Sequence, residues 1–178
     1  PQYFKPDETI LLKLGLLPGD PYFIIRLVSL TSGHDIQSEH KGLNSELLLK
    51  IINKLEPYGK IFITSESNLD DNLSKYKINL PPNKMHDLMS MASLFIGDSQ
   101  TMCAEAGILG TPFIRYNDFV GKIEYLNDLE KKYHLGFGIK TSEINKLFST
   151  IDLLLQQKNL KSIWKEKVTR LFADKIDL

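Results

Sequence analysis

Residues 94–112 read Leu-Phe-Ile-Gly-Asp-Ser-Gln-Thr-Met-Cys-Ala-Glu-Ala-Gly-Ile-Leu-Gly-Thr-Pro, and this stretch predicts a strand, a turn and a helix. The apolar run 94–96 is typical of a buried strand, and the turn 97–99 ends in residues that commonly cap a helix. Gly110 and Pro112 follow in the order that usually ends a helix. A strand joined to an apolar helix by such a short turn is the repeating unit of an α/β fold.

The amino end of this helix is a candidate anion site. Its free N–H groups and the positive end of its dipole favour a phosphate group. We therefore predict that Ser99, Gln100 and Thr101 contact a diphosphate. The alternative is ordinary helix capping, which every buried helix needs.

Glu105 is the one charged residue of the predicted helix. Burying an unpaired carboxylate is costly, so Glu105 has either a local partner or a ligand at the carboxyl edge of the sheet. It lies four residues after Thr101 and shares its helix face. We predict that it binds ribose hydroxyls, as acidic residues do in dinucleotide sites. The alternative is an ion pair with a nearby Lys or Arg.

Composition restricts the class of the protein. The 178 residues suit one domain, and 22 basic and 22 acidic residues give a net charge of zero, which argues against nucleic-acid binding. The single cysteine, Cys103, fits the reducing cytoplasm. No apolar run approaches the ~20 residues of a membrane span. Metal-ligand spacings and the Gly-x-Gly-x-x-Gly fingerprint are also missing, so we expect neither a metal site nor a cofactor.

Strand-like and helix-like segments alternate along the chain. Strands are predicted at 22–28, 60–64, 94–96, 111–115 and 135–139, with a short one near Ile78, and helices at 43–55, 83–92, 122–132, 142–156 and 160–174. This alternation indicates βαβ units and a mostly parallel sheet of about six strands. We predict an α/β fold, a Rossmann-like three-layer αβα domain, at 21–178. Residues 1–20 are expected to form a linker and a lead-in helix.

Three further polar residues are candidates for ligand binding or catalysis. Arg26 is a cation inside an apolar strand and is expected to hold a phosphate or a core carboxylate, with structural pairing favoured. His34, beside Asp35 in a polar loop, is the candidate for proton transfer or anion binding, the alternative being a local turn bond. His86 opens a predicted helix and either contacts the ligand or is a plain helix-terminal residue.

The run 97–106, with Leu-Gly-Thr-Pro at 109–112, resembles an uncharacterised prokaryotic domain-of-unknown-function family. That family is related to UDP-N-acetylglucosamine 2-epimerase and to glycosyltransferases of the GT-B fold. Segments 3–7, 26–28 with 34–35, 63–66 and 86–88 fit it as well. The similarity extends to about residue 140. It implies the C-terminal, nucleotide-binding half of a GT-B-type protein.

The resemblance implies that the ligand is a nucleotide-sugar, with a UDP-sugar favoured. Gln100 and Thr101 stand where the epimerase motif has two glycines, so the backbone's approach to a pyrophosphate is more restricted. Glycosyl transfer is favoured, while 2-epimerisation and nucleotide binding without catalysis stay open. The chain begins with Pro1 and is interpreted as a fragment, inactive alone, whose N-terminal partner domain is missing. A homodimer is a further expectation.

Overall fold

The computed structural model describes residues 4–28, 42–66 and 68–175. Strands β1 to β5 are Tyr22–Leu27, Lys60–Ser65, Leu94–Gly97, Phe113–Tyr116 and Gly136–Ile139. Helices α1 to α8 are Thr9–Lys13, Ser45–Leu55, Asp71–Ser74, Met85–Met91, Gln100–Ile108, Glu124–Asn127, Ile144–Gln156 and Leu160–Asp174. Short 3-10 turns lie at Glu56–Tyr58 and Pro82–Lys84, and a π-helical turn at Asp128–Lys132 continues α6.

The five strands form one parallel sheet in the order β2-β1-β3-β4-β5. Ile25 in the middle of β1 pairs with Ile63 on one side and Ile96 on the other, and all three are fully buried. Strands that are buried on both faces are typical of a sheet covered by helices on each side. The predicted three-layer α/β fold with a Rossmann-like parallel sheet is therefore confirmed.

The described residues form five strands, against the prediction of about six. Near the predicted strand at Ile78, a single parallel bridge joins Lys77 to Ile63. Two backbone hydrogen bonds hold it, from Ile63 N to Tyr76 O (2.8 Å) and from Ile78 N to Ile63 O (3.0 Å). Pro81 and Pro82 follow closely, and because proline has no N–H group to donate, the ladder stops there.

The helix predicted at 122–132 is also different in detail. It begins at Glu124 as α6 and ends in the π-helical turn. In that turn Leu129 joins the core, and the Glu130 carboxylate reaches the buried Arg115 of β4, with 2.8 Å between Nε and Oε1. Such π-helical turns are rare and are often found at functional sites.

The amphipathic helix α2 packs one face into the core. The Asn44 side chain accepts a hydrogen bond from Leu47 N at 2.9 Å and caps its amino end, which stabilises a helix by about 1 kcal/mol. Ile51, Ile52 and Leu55 are fully buried. This agrees with the apolar periodicity from which a helix at 43–55 is predicted.

Helix α8 lies across the amino edge of the sheet. Lys161 Nζ donates a hydrogen bond to Met91 O at 2.6 Å, and Trp164 Nε1 donates one to Leu135 O at 2.7 Å. These two carbonyls belong to the segments that lead into β3 and β5, so α8 is at the edge opposite to the carboxyl ends of the strands. Among the helices described, none is long and apolar enough to cross a membrane.

Cys103 lies inside α5 and is fully buried. Burial raises the pKa of its thiol well above the ordinary value, because a thiolate loses its hydration in the core. The sulfur contacts Gly97 O at 3.8 Å. Its surroundings are those of an inert core residue, since only an accessible thiolate is reactive.

We therefore expect Cys103 to resist alkylation while the chain is folded. With iodoacetamide, intact-mass analysis should find modification at least about 100-fold slower in native buffer than in guanidinium chloride, because reaction requires an opening of the fold. Alkylation of free N-acetylcysteine in both solvents corrects for the effect of solvent on the reagent. Rapid modification of the native protein would contradict the burial described here.

Candidate functional site

A crevice opens at the carboxyl edge of the sheet, where the segments that follow β1, β3, β4 and β5 meet. Its volume is about 340 Å³, a size typical of ligand pockets. It lies where the strand order reverses between β1 and β3, which is the usual ligand position in an open parallel sheet. The lining residues are Val28, Gly42, Asp98, Ser99, Gln100, Thr101, Asn117, Asp118, Phe119 and Thr141.

The amino end of α5 forms one wall of this crevice. Ser99 Oγ caps the helix by accepting a hydrogen bond from Met102 N at 3.3 Å. Within the described parts of the chain, no acceptor contacts the N–H groups of Gln100 and Thr101. The wall therefore combines two free donors with the positive end of the helix dipole, an arrangement that attracts anions. The three residues predicted to contact a diphosphate thus all line the crevice.

Asp98 connects the ends of β1 and β3 at the base of the crevice. Its Oδ1 accepts a hydrogen bond from Val28 N at 2.8 Å. Burial raises the pKa of this carboxyl, and the bond from Val28 and the charge of Arg26 only partly oppose the effect. A carboxyl with a raised pKa in a crevice is a candidate for proton transfer.

The opposite wall comes from the residues after β4 and β5. Asp118 Oδ1 accepts hydrogen bonds from Thr141 Oγ1 at 2.6 Å and from Thr141 N at 3.3 Å. Asn117 Nδ2 donates to Asp98 O at 3.0 Å and so links the ends of β4 and β3. Phe119 is 47% exposed, and its ring offers an apolar surface on which a flat ligand group can stack.

Glu105 has a local partner outside the residues that line the crevice. Its Oε2 lies 3.2 Å from His86 Nε2, and the two side chains are 37% and 49% exposed. The partner is a histidine, whereas the alternative considered from the sequence was a lysine or arginine. The pair joins α5 to α4, and both groups stay accessible to a ligand that extends from the crevice along α5.

Arg26 pairs with a carboxylate at the same edge of the sheet. Its Nη2 forms an ion pair with Glu66, the residue that follows β2. Its Nε is buried and has no hydrogen-bond partner among the residues described, and the same is true of the neighbouring Thr64 Oγ1. Arg26 is not among the residues that line the described crevice, but it lies at the same end of the sheet, in register with Gly97 of β3. His34 and Asp35 are outside the described residues, so the role suggested for His34 stays a prediction.

Four lining residues did not emerge from the sequence: Asn117, Asp118, Phe119 and Thr141. They lie in connecting segments, where side chains follow no periodic pattern. The signal that could have identified them is position, because each comes within three residues of the end of a parallel strand. Residues in that position face the ligand in folds of this type.

The ionisable side chains of the described crevice lining are all carboxyl groups. Asp98 and Asp118 line the crevice, while the described lining contains no Lys, Arg or His. Across the described ranges there is also no group of three or more His, Cys, Asp or Glu side chains that could hold a metal ion. The attraction for an anion in this part of the protein therefore comes from the amino end of α5 and from Arg26 nearby.

Several solved structures have the same fold. UDP-GlcNAc 2-epimerase from Methanocaldococcus jannaschii matches with a TM-score of 0.59 and 17% identity, over 95% of this chain and 50% of that chain. The wall teichoic acid polymerase TagF matches with a TM-score of 0.57 and 17% identity, over 93% of this chain and 42% of that chain. The glycosyltransferase VinC, in complex with dTDP, matches with a TM-score of 0.56 and 11% identity, over 88% of this chain and 39% of that chain. The likeness supports the GT-B type of Rossmann-like domain, and the chain spans half or less of each structure's length.

The sequence also matches a protein family. No curated protein matches it significantly. The profile of one family, described as a protein of unknown function (DUF354), matches residues 1–177. The match covers almost the whole chain and confirms the resemblance noted from the motif at 97–112. The chain therefore belongs to the DUF354 family.

Proposed function

We propose that this chain is the nucleotide-sugar-binding half of a glycosyltransferase-like protein, and that its ligand is a UDP-sugar. The observation that carries the proposal is the crevice at the switch point of the sheet, with the amino end of α5 as its wall. Two of the similar structures support the choice of ligand, because one is a complex with dTDP and another is a UDP-GlcNAc 2-epimerase.

In the proposed complex the diphosphate lies at the amino end of α5. The N–H groups of Gln100 and Thr101 donate to phosphate oxygens, and the Thr101 hydroxyl is a third donor. Side chains at these two positions, in place of glycines, keep the phosphates slightly further from the backbone. The hydroxyl of Thr101 and the amide of Gln100 compensate by offering hydrogen bonds of their own.

The ribose lies further along α5, beside the exposed pair of Glu105 and His86. A carboxylate accepts two hydroxyl groups well, and here the histidine holds it in place at 3.2 Å. The remainder of the nucleotide-sugar occupies the crevice, where Asp118 and Asn117 offer hydrogen bonds to hydroxyl groups. Phe119 gives an apolar surface to one face of the ligand.

Catalysis is proposed to require a second domain. Ligand sites often form between domains, and the similar structures are about twice as long as this chain. The second domain would supply cations for the diphosphate, which the described lining lacks. Within this chain, Arg26 is the proposed phosphate contact, and His34 is the proposed proton-transfer group. The single cysteine is consistent with action in the cytoplasm.

Nucleotide binding without catalysis is the second candidate function. The observation that favours it is the absence of any Lys, Arg or His from the described crevice lining. A leaving diphosphate accumulates negative charge, and transferases stabilise it with positively charged groups. A module that only binds the nucleotide needs much less of this stabilisation.

The diphosphate site can be tested by placing a negative charge on it. We expect Gln100→Glu to weaken UDP binding by about tenfold, because a carboxylate repels the phosphates. The same substitution should slightly stabilise the helix, since an acidic residue in the first turn is favourable. Calorimetric titration with UDP measures the affinity, and Gln156→Glu on α7 is the control for the change in net charge. Equal affinities for the two variants would exclude this position of the diphosphate.

The ribose assignment can be tested by comparing UDP with its 2′-deoxy analogue. We expect Glu105→Ala to weaken binding of UDP by about fivefold and binding of the analogue much less, since one hydrogen bond is lost only from the ribose. If Glu105 serves only to hold His86, the substitution should change both affinities equally. His86→Ala provides the matched control for the loss of the pair itself.

The reaction class can be tested by turnover. We expect the 178-residue chain to bind UDP weakly and to leave UDP-sugars unchanged, because in this proposal a second domain completes the active site. A longer form with an upstream α/β domain is incubated with the same UDP-sugars, and chromatography and NMR follow the products. Release of UDP with transfer of the sugar to an added hydroxyl acceptor or to water favours a transferase, a C2-epimer favours an epimerase, and binding alone favours the non-catalytic function. Turnover by the 178-residue chain itself would contradict the two-domain proposal.

A further inference from the structure

A buried ion pair lies directly beneath the crevice and has no role in the function proposed above. Arg115 of β4 is fully buried, and the Glu130 side chain is only 6% exposed. Arg115 Nε donates a hydrogen bond to Glu130 Oε1 at 2.8 Å. Nη2 lies 2.7 Å from the same oxygen but off the hydrogen-bond direction, so it adds an ionic contact only.

Burying such a pair in a core carries a large desolvation penalty. Two charges lose their hydration, and apolar side chains of similar volume often stabilise a protein at least as well. Burial raises the pKa of Glu130, and the adjacent guanidinium opposes the shift only in part. The pair therefore needs an explanation other than stability.

The structure makes room for the Glu130 carboxylate at a specific position of β5. A Cβ atom added to Gly138 would lie 2.3 Å from Glu130 Oε2, far inside contact distance. A side chain at position 138 would therefore displace the Glu130 carboxylate from the place that it occupies here. The π-helical turn, which carries Glu130, adds a second unusual feature at the same place.

From Arg115 a chain of hydrogen bonds leads to the crevice. Arg115 Nη1 donates to Asn117 Oδ1 at 3.4 Å, and Phe119 N donates to the same oxygen at 3.0 Å. On the other side of the amide, Asn117 Nδ2 donates to Asp98 O at 3.0 Å. Asn117 thus joins the segment after β3 to the segment after β4, and the three residues Asp98, Asn117 and Phe119 all line the crevice.

We propose that Arg115 and Glu130 are positioning residues of the crevice. Glu130 orients the guanidinium, and the guanidinium fixes the Asn117 amide with its oxygen toward the core and toward Phe119 N. This orientation sets the distance between the two walls at Asp98 and Phe119. The effect on a ligand rests on the proposed function, whereas the positioning itself is a property of the free protein.

The proposal is tested by perturbing the pair in two independent ways. Glu130→Gln removes the charge that orients Arg115, and Gly138→Ala displaces the carboxylate without changing its chemistry. The control is Leu129→Ala in the same π-helical turn, which removes a buried side chain but changes neither member of the pair. Hydrogen exchange followed by NMR measures the protection of Phe119 N–H relative to a core amide such as Ile96.

We expect the Phe119 amide to exchange at least tenfold faster in both variants, relative to Ile96. In Leu129→Ala the two amides should change together, because that substitution lowers only global stability. Arg115→Lys keeps a positive charge opposite Glu130 but removes the Nη1 donor to Asn117, so exchange of the Phe119 amide should also become faster. This variant keeps the test decisive if the other variants fail to fold. Unchanged relative protection in every variant that folds would overturn the proposal.

Titration with UDP then separates the two proposals. If the wild-type chain binds UDP, Glu130→Gln and Gly138→Ala should weaken binding by about tenfold, while Leu129→Ala at matched folded fraction should not. Equal UDP affinities for the wild-type chain and the three variants would overturn the proposal that the pair positions the ligand site. If the wild-type chain does not bind UDP, the proposed function fails, and the exchange measurement still decides whether the pair positions the crevice.

Discussion

Parallel pairing of all five strands is the constraint on which the rest of this structure depends. Each connection between parallel strands must return the chain from the carboxyl ends of the strands to their amino ends. All strands therefore end on the same side of the sheet. Residues placed directly after a strand then meet, although they are far apart in sequence. Val28, Asp98 and Asn117 are an example, because hydrogen bonds through Asp98 join the ends of β1, β3 and β4. The crevice is a consequence of this topology, and side chains only decide what it can bind.

Local patterns predicted most of the fold. The apolar run before Gly97, the capping residue Ser99 and the glycine at 110 are all signals that act within a few residues. The ion pair of Arg115 and Glu130 could not be predicted in this way. Glu130 stands in the charged run 128–132, which has the composition of a solvated helix face. The π-helical turn packs against β5, and its Glu130 carboxylate points inward to Arg115 of β4. No local sequence pattern encodes this packing.

The candidate site was partly predictable for the same reason. Ser99, Gln100 and Thr101 follow a recognisable strand and were placed at the amino end of a helix, which is where they lie. The lone carboxylate in an apolar helix left either a local partner or a ligand open for Glu105. The structure shows His86 as a partner, through the contact between α4 and α5, and the ribose contact stays a prediction. The residues after β4 and β5 form the other wall, and their sequences contain no motif that distinguishes them from ordinary loops.

The position of α8 has a consequence for the order in which the chain folds. Its hydrogen bonds to Met91 O and Leu135 O connect residues that are 70 and 29 positions apart. Both acceptors come into place only after β3 and β5 have joined the sheet, so the helix has no binding surface in a half-formed domain. Contacts of such long sequence separation close late and are slow to form. In its native position the last helix therefore depends on a sheet in which β3 and β5 are both in place.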